Sequence, residues 1–179
     1  MATKTVTARL AGGGLRLSAE TGRGHTLVMD DVAGDTGPRP AELLMVALAG
    51  CTAMDVVSIL RKKRQPFRRY EVRVASEQRD DPPPHVFEQV RVIHVVEGDV
   101  EIDAVRRAIE LSATKHCTVS GNLASGVSEI HHAYLVRDAV GEEQYGEVVV
   151  TGPRKSPDTL GRRAGYANRQ DAGCDSRCL

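Results

Sequence analysis

Along residues 4–9 (KTVTAR) threonine and valine alternate with other residues at a period of two, the spacing of a half-buried strand. Gly12-Gly13-Gly14 supplies a turn and Leu15-Arg16-Leu17 resumes the alternation. A second turn over 21–24 leads into residues 25–29, so a three-stranded antiparallel meander is expected. A loop over 31–37 ends in Pro38-Arg39-Pro40, and Pro40 suits the first turn of a helix, where its missing N–H would go unpaired in any case. That helix is expected to run to about Arg64. From Leu43 to Met54 it is apolar all round rather than striped, the pattern of a helix covered on every side. A small domain with a one-sided sheet rarely encloses a helix completely, so a second subunit is expected over it. Ala47, Ala49, Gly50 and Ala53 would let neighbouring backbone come close.

Alternation returns over 70–76, DDPPP at 80–84 forces a turn or loop, and 86–96 reads as a long strand with mixed faces. Ile102, Val105, Ile109 and Ser112 recur at helical spacing, predicting an amphipathic helix over 101–115. After His116-Cys117 come a short helix over 119–125 and a strand over 127–136. The order is three strands, a helix, two strands, a helix, a short helix and a strand, an α+β fold. Beyond Asp138 glycine, proline, arginine and aspartate dominate, and only 147–151 could add a strand. Residues 1–138 are therefore read as the domain and 139–179 as an extended or flexible tail.

Charge narrows the function classes. Lys plus Arg and Asp plus Glu are equal at 24 each, which gives no global reason to expect nucleic acid or an anionic membrane as partner. Six of the nine residues in 61–69 (RKKRQPFRR) are basic, and such a run is read as a solvated helix C-terminus, where cations suit the dipole. Aromatic residues make up 3% of the chain and tryptophan is absent, so stacking on bases or sugars is not an expected mode of recognition. The N-terminus lacks the apolar stretch of a signal peptide. The uncharged run from Leu43 to Met54 is shorter than the roughly 20 residues that span a bilayer, so a soluble, cytoplasmic protein is expected. In a reducing compartment four cysteines are no structural framework, and pairing among them would be transient and catalytic.

Cys51 lies mid-helix and Cys117 between two helices. Each can be read as a small buried hydrophobe. Cys117 has more in its favour: at a helix start, with Lys115 and His116 beside it, a thiolate would be stabilised. His131 and His132 fall in a strand and point to opposite faces, so they cannot hold a metal from one side. His25, His85 and His94 show no ligand spacing with cysteine, and Cys174 and Cys178 lack the second pair of a metal site. No metal is expected. Gly12-Gly13-Gly14 joins strands and opens no helix, so it is not a phosphate loop.

Gly37-Pro38-Arg39-Pro40-Ala41-Glu42-Leu43-Leu44, then Ala49-Gly50-Cys51-Thr52, then Lys115-His116-Cys117-Thr118-Val119-Ser120 resemble the OsmC/Ohr family, the osmotically inducible and organic hydroperoxide resistance proteins. The resemblance covers about residues 4–137. It implies an intertwined homodimer in which antiparallel sheets wrap long central helices. It also implies a thiol-dependent peroxidase acting on organic hydroperoxides, with Cys51 as the peroxidatic and Cys117 as the resolving cysteine. The two would form a disulfide that an external thiol or dithiol reduces, with no metal, haem or flavin cofactor. The peroxidases use an arginine from the N-terminal strands and a glutamate directly after the helix-starting proline. Arg16 is the arginine chosen here, with Arg23 and Arg39 open as alternatives. The glutamate position is held by Ala41, with Glu42 one residue later, the form of the OsmC-like branch. One helical step turns a side chain by about 100°, and Glu42 can equally be a first-turn carboxylate that suits the dipole. A competing reading is a non-catalytic homodimer of the same fold that binds a small apolar molecule or a protein partner.

Overall fold

Three short antiparallel strands open the chain: β1 (Val6–Leu10), β2 (Leu17–Thr21) and β3 (Thr26–Met29), the meander expected from the period-two pattern. Ala19 on the central strand faces Ala8 on one side and Leu27 on the other and is buried. The computed structural model describes residues 3–80, 85–125 and 129–151. The chain divides into two compact units, Met1–Val46 and Ala47–Leu179. The DDPPP turn lies largely outside the described residues, as do residues 152–179 with Cys174 and Cys178.

After β3, Asp30 organises the approach to the first helix by accepting hydrogen bonds from the Thr36 hydroxyl (2.5 Å) and backbone N–H (3.3 Å). These bonds hold its carboxyl below the usual carboxylate range. Gly37 then passes against β3 so closely that a Cβ there would sit 2.7 Å from the Val28 carbonyl oxygen, which makes glycine a steric requirement of this entry. Helix α1 (Pro40–Lys62) begins in the first unit and runs on into the second. Its N-terminus is closed by Glu42, whose carboxylate accepts from the Arg39 backbone N–H (2.8 Å) and guanidinium (2.9 Å). This is the reach-back half of a capping box.

In the second unit α1 is followed by β4 (Phe67–Gln78), β5 (Phe87–Gly98), α2 (Ile102–Leu111), a π-helical turn (Ser112–His116), α3 (Thr118–Ala124), β6 (Glu129–Arg137) and β7 (Glu143–Thr151). The sheet order is β4-β5-β6-β7. β5 and β6 run parallel because α2 and α3 carry the chain back between them; the other pairs are antiparallel. Every second residue of β5 (Val90, Val92, His94, Val96) and of β6 (Ile130, His132, Tyr134, Val136) is buried. One core joins Val56 and Leu60 of α1, Val105, Ala108 and Ile109 of α2, and Val96, Tyr134 and Val136 of the sheet.

Three expectations change. The helix placed over 101–115 ends at Leu111 and widens into the π turn. Residues 143–151, assigned to the tail except for a possible strand over 147–151, form a nine-residue strand of the sheet. As expected, the described residues do not enclose helix α1: it buries Leu48, Thr52, Val56 and Leu60, one residue per turn, while Leu44, Val46 and Met54 are exposed. Finally, α1 is long and apolar enough by length and composition to cross a membrane, because its apolar character extends well beyond the 43–54 run. Its buried stripe nonetheless packs into the protein core, and its polar residues Thr52 and Asp55 are hydrogen-bonded to side chains of that core.

Candidate functional site

Cys51 and Asp55 stand four residues apart on α1, so they share one face a turn apart. Cys117 reaches that face through the π turn. Its backbone N–H donates to the Ser112 carbonyl (2.9 Å), which closes a wider ring than an α-helical bond would. Cys117 then leaves the helical conformation (φ −69°, ψ 102°) and becomes the N-cap of α3, its Sγ accepting from the Ser120 N–H at 3.3 Å. The two sulfurs and a carboxylate oxygen of Asp55 all lie within 4.8 Å of one another. Both thiols are free; Cys51 is half-buried and Cys117 buried.

Behind this cluster runs a chain of buried hydrogen bonds. The Ser112 hydroxyl donates to Asp55 Oδ2 at 3.0 Å, and Thr52 Oγ1 lies 3.0 Å from Ser112 Oγ. Ser112 has a single hydroxyl proton and gives it to the carboxylate, so Thr52 is the donor to Ser112. With the Thr52 proton committed, the contact with His94 Nε2 (3.4 Å) assigns the ring proton to Nε2, and Nδ1 accepts from the Tyr70 hydroxyl (2.5 Å). Every donor in the series Tyr70, His94, Thr52, Ser112 therefore points toward Asp55. Burial keeps His94 neutral by pushing its pKa down to about 3, which suits this tautomer. His132 stacks on His94 with ring centroids 6.5 Å apart, and burial likewise lowers its pKa, to about 4.

Cys117 departs from expectation. Desolvation raises its thiol to about 12 against the opposing bond from the Ser120 N–H, and neighbouring Cys51 and Asp55 add to the rise. Lys115 and His116, expected to stabilise a thiolate, are exposed. Burial outweighs the helix terminus, and Cys117 is held as a thiol.

The proposed arginine and glutamate belong to the first unit. Arg16 is exposed in the turn before β2, where its charge helps to lower the Asp30 pKa. Glu42 is exposed and paired with Arg39 at 2.9 Å, so its observed partner is the third of the candidate arginines. Among the described residues the structure brings together Cys51 and Cys117, and adds Asp55, Thr52, Ser112, His94 and Tyr70, which sequence reasoning missed. The four-residue step from Cys51 to Asp55 was the one legible signal. His132 takes a packing role, and His131 sits beside Gln89 (3.2 Å) instead of joining it. Cys51, Asp55 and Cys117 also form a donor set that could hold a metal ion, which no sequence spacing indicated.

The fold and site define an α+β protein built on a long helix, with a pair of facing thiols at the junction of that helix and a π turn. The model of the OsmC-like protein family matches residues 33–132, and the chain belongs to that family. It is 41% identical to protein YhfA of Escherichia coli K12 over 124 residues, covering 69% of this chain and 91% of that protein. A hypothetical protein from Aquifex aeolicus VF5 superposes with a TM-score of 0.67 at 27% identity, covering 77% of this chain and 98% of that one. The organic hydroperoxide resistance protein OhrB of Bacillus subtilis shares the fold, with a TM-score of 0.52 at 21% identity over 74% of this chain and 97% of its own.

Proposed function

We propose that the chain is a cytoplasmic, homodimeric, thiol-dependent peroxidase that reduces organic hydroperoxides to alcohols. The observation that carries this reading is the convergence of the Cys51 and Cys117 sulfurs, from segments distant in sequence, to within 4.8 Å of one another. The Cys51 thiolate attacks the near oxygen of ROOH. The O–O bond breaks, RO⁻ leaves and takes up a proton, and Cys51 is left as sulfenic acid. Cys117 then attacks the Cys51 sulfur, its proton leaving with the hydroxyl as water, to give the disulfide. Two equivalents of an external thiol restore both cysteines and leave as their own disulfide, so the balance is ROOH plus two thiols to ROH, water and disulfide. Asp55 and the hydroxyls behind it offer acceptors for the Cys117 proton. Arg16 is the cation proposed to favour the Cys51 thiolate. The reaction calls on no metal, haem or flavin.

The test is thiol consumption by reduced protein, with Cys174 and Cys178 replaced by serine, on adding cumene hydroperoxide or hydrogen peroxide. Rapid loss of two thiols, preferring the organic peroxide, is expected. Cys51→Ser abolishes the loss and Cys117→Ser stops it at the sulfenic acid. Thiol loss no faster than a free-thiol control overturns the reading.

A second reading has its own support. Glu42 is engaged in an exposed pair with Arg39, and burial holds Cys117 protonated. Both suit a non-catalytic homodimer that binds a small apolar molecule or a protein partner. Under that reading stoichiometric peroxide leaves both thiols intact.

A further inference from the structure

We infer that Cys51, Asp55 and Cys117 form a binding site for a thiophilic divalent cation of the zinc class, a property that does not depend on the peroxidase reading. Their three donor atoms come from two segments distant in sequence and converge to within 4.8 Å of one another. Zinc at about 2.3 Å from sulfur and about 2.0–2.2 Å from a carboxylate oxygen sets its tetrahedral donors about 3.5–3.8 Å apart, so the three side chains close around an ion by drawing together from their present spacing. All three groups are anionic when ionised and repel one another at this separation. A shared cation reverses that repulsion, because each thiol gives up its proton to become a ligand.

The surroundings supply what a ligating carboxylate requires. Ser112 donates to Oδ2 of Asp55, a bond that restricts how the carboxylate can turn. Thr52, His94 and Tyr70 brace Ser112 in turn, so the carboxylate is anchored from within the core. Two thiolates and one carboxylate favour zinc or cobalt over magnesium or calcium, which prefer all-oxygen shells. Three protein ligands leave a fourth position, and Cys51 is only half-buried, so a water or an exogenous thiol can complete a tetrahedral shell. An ion there occupies both sulfurs and prevents their reaction with other species.

The test uses reduced full-length protein with Cys174 and Cys178 replaced by serine. Titration with Co²⁺ should saturate at one ion per chain, with a sulfur-to-cobalt charge-transfer band and the strong visible bands of four-coordinate cobalt. Zn²⁺ should then displace the cobalt. Cys51→Ser and Cys117→Ser should each weaken the charge-transfer band, and Asp55→Asn should reduce Zn²⁺ affinity at least about tenfold. Alkylation provides a readout that needs none of these site variants to fold: Zn²⁺ should protect the half-buried Cys51 from iodoacetamide, and Mg²⁺ should not. Absence of a saturable one-to-one cobalt signal, a signal indifferent to Asp55→Asn in a folded variant, or alkylation unaffected by Zn²⁺ would overturn the inference. Such a failure leaves the peroxide assay untouched, because that assay is run without added metal.

Discussion

Ser112 is the residue on which the buried polar chain turns. It is fully buried, donates to Asp55 and accepts from Thr52, so removing its hydroxyl strands a donor on one side and an acceptor on the other. Ser112→Ala is therefore expected to lower the unfolding free energy by about 1–3 kcal/mol, the penalty of leaving buried polar groups unpaired. Urea denaturation followed by far-ultraviolet circular dichroism measures it, and a change within error would mean the chain is not a structural unit. The neighbouring histidines carry a second expectation. His94 and His132 have folded pKa values depressed to about 3 and about 4 by burial, below the ordinary histidine value of 6.5, so the unfolded chain binds protons that the folded one refuses. Their contribution to stability is complete above about pH 6.5 and is lost progressively as pH falls toward 3–4. The melting temperature should drop over that window, and His132→Leu, which removes a ring with both nitrogens buried and without partner among the described residues, should flatten the drop. An equally steep decline in the variant would place the acid sensitivity elsewhere. None of this was legible from the residues taken singly. His94 and His132 share a face only because β5 and β6 pair in parallel with Val92 beside His132, and two strands separated by two helices and a π turn do not announce their register.

At the scale of elements, helix α1 was the most legible part of the chain, because proline entry and a long apolar run are local signals. Glu42 illustrates the limit of such signals. Its place in the first turn was readable, whereas its reach back to Arg39 depends on a backbone geometry that a motif does not specify. If the observed capping is its role, Glu42→Ala should speed hydrogen exchange of the first-turn amides and leave the rate of thiol consumption by peroxide unchanged. A large fall in that rate, with exchange unaltered, would instead assign the carboxylate to the chemistry. β7 was missed for a different reason. Glu143, Gln144, Gly146 and Glu147 give it little apolar periodicity, and it sits at the sheet edge, where one row of backbone groups suffices to hold it. The π turn had no sequence signature, yet it determines where the helix ends and so where Cys117 stands.

The exposed apolar side chains of α1 are the main unfinished business of the molecule as a single chain. Val46 and Met54 are 60% and 71% exposed on the side of the helix away from the buried stripe, and Leu44, one step before Leu48 on that stripe, is 45% exposed. Covering side chains of this kind contributes about 1.5–3 kcal/mol each when complete, a substantial drive toward association. The all-round apolar pattern in the sequence is the same fact seen in one dimension: a stripe for the chain's own core, and a remainder that the proposed second copy would cover. Sedimentation velocity at micromolar concentration should therefore give a species of twice the 19.3 kDa chain mass. Met54→Glu, which places a charge on the uncovered side without touching Leu48, Thr52, Val56 or Leu60, should shift the protein toward monomer while its circular dichroism stays that of a folded chain. A wild-type monomer would mean that the apolar side chains of α1 meet something other than a second copy. A dimer indifferent to Met54→Glu would place the interface elsewhere, and the helix would still need an occupant for its exposed side.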